Sequence, residues 1–171
     1  MAHKVFLVTI SQMSDRREES AYTLRAPVMG SSLRRQRSPG PLVAEFQRQG
    51  IRILAGTDSP VIPNVVSGFS LHDELALLVD GGLTPLEALQ TATLNPARFL
   101  GKLDDLGTAE KGKLADLVIL DANPLEDIHN TTKINAVIAQ GKLLDRTDLD
   151  RLMREAEEMA KVPESAVQTG K

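Results

Sequence analysis

The residues best placed to do chemistry lie in one short stretch, Gly56-Thr57-Asp58-Ser59, where a carboxylate stands between two hydroxyls. Ile51-Arg52-Ile53-Leu54-Ala55, just before it, reads as a short buried strand closed by Gly56. A strand that ends in an acid aims a carboxylate into a site, and parallel α/β folds keep their chemistry at the carboxyl ends of strands. The same residues also fit an Asx-type turn in which Asp58 bonds its own backbone. Spacing alone favours the turn. The chain's three histidines, His3, His72 and His129, form no His-x-His pair. His72 falls on a predicted helix beside acids and reads as a surface histidine or one standing behind a ligand. His129 falls in a polar loop and reads as structural or exposed.

The elements around Asp58 can be placed by their periods. Leu42, Val43 and Phe46 keep helical spacing, and Gly50 stops that helix before the strand. A loop over residues 56–70 is broken by Pro60, Pro63 and Gly68. Leu71, Leu75, Leu78 and Val79 share one face of a second helix over 71–79, with His72, Asp73, Glu74 and Asp80 mostly off it. Thr84-Pro85-Leu86-Glu87 is a specific helix start, with a capping hydroxyl, a first-position proline and a Glu able to reach back. Asn95-Pro96 repeats the pattern, with Asn95 as the cap of a short helix over 97–100. Strands follow at 115–120 and 134–139, and Gln140-Gly141 turns the second into 142–144 as a hairpin. The last helix, 147–161, takes its cap from Thr147 or Asp148, and the tail from Pro163 is expected to fray. Near the start, residues 1–10 carry one strand pattern, and no sustained period runs from Ser11 to Gly40.

Composition narrows the classes. A chain of 171 residues with 42% hydrophobic and 25% charged side chains is ordinary for a soluble globular protein. Aromatic content of 3% argues against base-stacking surfaces for single-stranded nucleic acid. Without cysteine there are no disulfides or thiolate metal sites, which fits a reducing cytoplasm, the expected location. No apolar run reaches the roughly 18 residues of a membrane span, and the start is not read as a signal peptide. Residues 1–40 are net +4 and residues 41–171 net −7. The basic cluster Arg34-Arg35-Gln36-Arg37 could touch nucleic acid, but with so acidic a remainder a solvated arm is the better reading.

Taken in order, Ala55-Gly56-Thr57-Asp58, Gly68-Phe69-Ser70-Leu71-His72-Asp73-Glu74-Leu75, Gly82-Leu83-Thr84-Pro85-Leu86-Glu87-Ala88-Leu89, Ala92-Thr93-Leu94-Asn95-Pro96-Ala97, Leu106-Gly107, Lys111-Gly112-Lys113-Leu114-Ala115-Asp116-Leu117-Val118 and Asn123-Pro124-Leu125 form a pattern. It resembles the C-terminal part of the amidohydrolase superfamily, closest to its imidazolonepropionase-like and prolidase-like members, over residues 41–146. The resemblance implies an α/β fold, the last part of a (β/α)8 TIM-type barrel with C-terminal strands of a β-sandwich built from both chain ends. It implies an irregular or weakly ordered segment at 1–40, barrel at 41–105, sandwich strands at 106–146, and a helix and tail at 147–171. Residues 51–55 resemble the eighth barrel strand. Asp58 resembles the acid that binds a divalent metal, zinc foremost, and takes a proton from the metal's water.

Most of that site has no counterpart in the sequence. The family's His-x-His, bridging Lys or Glu, and further single His ligands are missing, and a barrel typically takes about 250 residues. One carboxylate cannot make a catalytic metal centre, which needs three or more protein ligands. The expectation is therefore a C-terminal fragment of a metal-dependent hydrolase of amide or cyclic amide C–N bonds, inactive alone and binding no metal by itself. The alternative is a non-catalytic binding or structural module, or half of a split enzyme. Unpaired strand edges would favour self-association or a second chain. A small-molecule substrate is expected only for a completed site.

Overall fold

A computed structural model describes residues 6–9, 40–58 and 66–161. The expectations placed on the arm and its basic cluster at 34–37, on His3 and on the tail from Pro163 lie outside the described residues. Ten elements follow in order: β1 (Phe6–Thr9), α1 (Gly40–Arg48), α2 (Ser70–Asp80), α3 (Pro85–Ala92), α4 (Leu94–Phe99), β2 (Leu117–Leu120), a 3-10 turn (Ile128–Thr132), β3 (Ile134–Ala139), β4 (Lys142–Leu144) and α5 (Arg146–Ala160).

The helices pack because their apolar positions recur on one side. Leu75 of α2, Leu83 of the α2–α3 turn and Leu89 of α3 are buried together, with Val43 of α1 and Ile53 against them. Burying each such side chain is worth about 1.5–3 kcal/mol over leaving it in water. The start of α3 is as the sequence implies. Thr84 and Glu87 form a reciprocal capping box with Pro85 in the first turn, and Gln47 of α1 donates to Glu87 at 3.2 Å, tying α1 to it.

The strands form one antiparallel sheet in the order β1-β2-β3-β4. Residues 1–10 carry one strand pattern, which left room for one further barrel strand in addition to residues 51–55. Their described part, β1, instead runs antiparallel to β2, with Phe6 opposite Leu120 and Thr9 opposite Leu117. The sheet therefore draws on both ends of the chain. The β3–β4 hairpin turns at Gln140 and Gly141, both left-handed at φ 51° and 78°, as a two-residue turn of matching twist requires.

The 3-10 turn joins helices to sheet. Ile128 sits in the helical core, while the Lys133 carbonyl just after the turn accepts from Asp121 at the end of β2 at 2.9 Å. Asn123 shapes the approach, since its side chain accepts from the Leu125 amide at 3.0 Å.

Three local expectations are corrected. Residues 51–55 are not a strand, because no strand among the described residues lies beside them to complete a ladder. Asn95 does not cap α4; its side-chain amide donates to the Ile53 carbonyl at 3.0 Å, and the residue preceding α4, Thr93, makes no side-chain cap. The cap of α5 is Asp145, whose carboxylate accepts from the Asp148 amide at 3.0 Å; Thr147 and Asp148 lie inside the helix.

Candidate functional site

The segment 51–58 keeps a period of two without a ladder. Ile53, Ala55 and Thr57 turn inward, while Leu54, Gly56 and Asp58 are exposed. The Ile51 amide donates to the Phe46 carbonyl of α1 at 2.9 Å, and three further contacts tie the segment to α2, α3 and α4. Asn95 fixes the Ile53 carbonyl from α4, the Ala55 amide donates to the Thr91 carbonyl of α3 at 3.0 Å, and the Gly56 amide donates to Glu74 Oε1 of α2 at 2.7 Å. The strap thus does with helix-borne groups what a neighbouring strand would do, satisfying backbone that would otherwise be costly to leave unpaired. At its end Asp58 takes a left-handed backbone, φ 54°, a conformation Asp tolerates better than most residues.

Glu74 was passed over in the sequence because it falls on the polar side of α2. Oε1 takes the Gly56 amide, and Oε2 is buried with no hydrogen-bond partner among the described residues. Burial pushes the Glu74 carboxyl up from its ordinary value, and the Gly56 amide only partly offsets this. The available signal was position: α2 is the first helix after the strap among the described residues, and Glu74 lies on it one residue before the buried Leu75.

The two described histidines serve elsewhere. His72 is half-buried, with Nδ1 3.0 Å from Thr131 Oγ1 of the 3-10 turn, and its ring meets Phe69 edge-on at 5.9 Å. Burial lowers its pKa, with nearby Asp73 opposing. His129 is exposed, with Nδ1 2.8 Å from Asp127 Oδ1. Neither joins Asp58. Among the described residues no group of three or more His, Cys, Asp or Glu side chains could hold a metal ion. The described residues therefore offer no complete ligand set for the metal centre that the resemblance implies.

A separate cleft of about 730 Å³ opens between the helices, the sheet and α5. Phe69, Leu71 and His72 line one wall, Val118 and Val137 the sheet side, and Met153 the third. Neither Asp58 nor Glu74 lines it. Among the described residues no helix is long and apolar enough to cross a membrane.

Comparison with known proteins places this arrangement. A model described as the amidohydrolase family matches residues 34–144. The imidazolonepropionase of Mesorhizobium japonicum is 40% identical over 81 residues, 47% of this chain and 20% of that protein. The 5-methylthioadenosine/S-adenosylhomocysteine deaminase of Teredinibacter turnerae is 34% identical over 95 residues, 51% of this chain and 22% of that protein. The chain thus spans about a fifth of the length of these two curated relatives. Among solved structures, bottromycin amidohydrolase superposes with a TM-score of 0.62 at 33% identity, over 74% of this chain and 27% of that one.

Proposed function

The chain belongs to the amidohydrolase family, and from that premise we propose that it supplies one carboxylate, Asp58, to a metal-dependent hydrolase of C–N bonds. The observation that carries this reading is the strap, which ends on an exposed Asp58 and is pinned by α2, α3 and α4. Such a carboxylate can take a proton from a water as the water oxygen adds to an amide carbon. It can then return that proton to nitrogen as the C–N bond breaks. The substrate class is a small amide or cyclic amide. Among the described residues the divalent metal, zinc foremost, finds no complete ligand set, so Asp58 would be one ligand and the others would come from outside them. Those ligands would complete the (β/α)8 barrel, on the same polypeptide or on a second chain, and alone this chain would not turn over substrate.

A second reading, a binding or structural module, is favoured by the apolar cleft, whose volume is that of an ordinary ligand pocket. Hydrolysis of N-acyl amino acids and cyclic amides in the presence of zinc separates the two. The catalytic reading expects none from this chain alone. It expects turnover, abolished by Asp58→Asn, once the chain is joined to an amidohydrolase barrel segment bearing His-x-His. Turnover that survives Asp58→Asn contradicts it.

A further inference from the structure

We propose that Glu74 is the positioning residue for Asp58, setting the turn Gly56-Thr57-Asp58 through the Gly56 amide. The inference rests on the reading of Asp58 as the acid–base carboxylate. Ile53 and Ala55 are held from α4 and α3, and the bond from Gly56 to Glu74 Oε1, at 2.7 Å, carries the hold to two residues before Asp58. Beyond it the backbone enters the left-handed region at Asp58, φ 54°, a conformation less common for a residue other than glycine and one that a fixed neighbour helps to hold.

The choice of side chain is costly for stability alone. Glu74 Oε2 is buried without a partner, and burial makes the charged form harder to keep. An apolar residue at this place on α2 would avoid that cost but could not accept from Gly56. A charged acceptor makes a stronger bond to an amide than a neutral one, so what the carboxylate contributes is a firm hold on the strap. Reach matters as well, because an Asp on α2 is one methylene shorter. Glu74 touches no reacting atom and acts through Gly56.

Amide hydrogen exchange and backbone chemical shifts on the full 171-residue chain test this directly. In Glu74→Ala, exchange at Gly56 should rise roughly tenfold, the loss of one charge-assisted hydrogen bond, and the Asp58 shifts should leave their left-handed values. Glu74→Asp should behave like Glu74→Ala, whereas Glu74→Gln, which keeps length and an acceptor oxygen but not the charge, should restore slow exchange in part. Exchange at Ala88, whose amide bonds the Thr84 carbonyl in α3, should not move in any of them. Unchanged Gly56 exchange in both Glu74→Ala and Glu74→Asp overturns the proposal. Equal acceleration at Ala88 also overturns it, since Glu74 would then serve general stability. Should Glu74→Ala not fold, the Asp and Gln variants decide alone. Asp58→Asn should leave Gly56 exchange slow, so turnover surviving that substitution refutes the catalytic reading while the Gly56 signal still judges Glu74.

Discussion

The Nδ1 atom of His72 lies 3.0 Å from Thr131 Oγ1, and the Thr131 hydroxyl donates to the Ile128 carbonyl at 2.8 Å. With its proton committed to Ile128, Oγ1 can only accept from the ring, so Nδ1 carries the hydrogen and Nε2 of the neutral ring keeps the lone pair. One imidazole therefore joins α2 to the 3-10 turn that leads into the sheet.

This junction should be sensitive to acid. Burial, the larger cause, lowers the His72 pKa from its ordinary 6.5, against the pull of Asp73. The unfolded chain then binds more protons than the folded one below about pH 6.5, so this contribution is fully present above that pH and is lost as pH falls through the folded pKa. Urea unfolding as a function of pH should show stability declining below pH 6.5. His72→Gln should flatten that part of the profile, and an unchanged slope would count against the assignment.

The capping box on α3 should show coupling. The Thr84 amide and hydroxyl both donate to Glu87 Oε2 at 2.8 Å, while the Glu87 amide returns a bond to Thr84 Oγ1 at 3.3 Å. Thr84→Ala should cost about 1 kcal/mol in urea unfolding. Adding Glu87→Ala should cost less than the two single losses together, because both act through one motif. The Thr84 amide and then its hydroxyl hold the Glu87 carboxyl below its ordinary 4.5, so this support is present above pH 4.5 and fades as pH falls through the folded pKa.

Gly107 and Gly112 separate backbone strain from crowding. Both are left-handed, at φ 89° and 96°. A Cβ on Gly107 would lie 2.7 Å from the Ala97 Cβ, whereas one on Gly112 meets nothing within 4 Å. Gly112→Ala should therefore lose about 1 kcal/mol, from backbone conformation alone. Gly107→Ala should lose about 1–3 kcal/mol more, from overpacking against α4. Equal shifts in the urea midpoints, at unchanged m-values, would refute the close approach.

The elements legible in the sequence were those whose signals are local. Thr84, Pro85 and Glu87 mark α3 within four residues, and Gln140-Gly141 marks a hairpin turn that only two left-handed residues make well. Residues 51–55 misled because an alternating apolar run records which side faces inward but not what lies alongside. Their partners, Asn95 and Thr91, and Glu74 on the adjoining Gly56, come from helices up to 42 residues away. Asn95 failed as a cap for the same reason, since its amide has a better use on Ile53. Asp58 was visible as a carboxylate after an apolar run. Glu74 was not, because only the fold brings it to Gly56.

On the proposed reading, these residues provide one carboxylate of a metal site and not the site itself. Zinc content per chain, measured by elemental analysis after purification and dialysis against zinc-containing buffer, tests it most directly. The expected result is zinc far below one per chain, the same for wild type and Asp58→Asn. One tightly held zinc per chain, lost in Asp58→Asn, would contradict it.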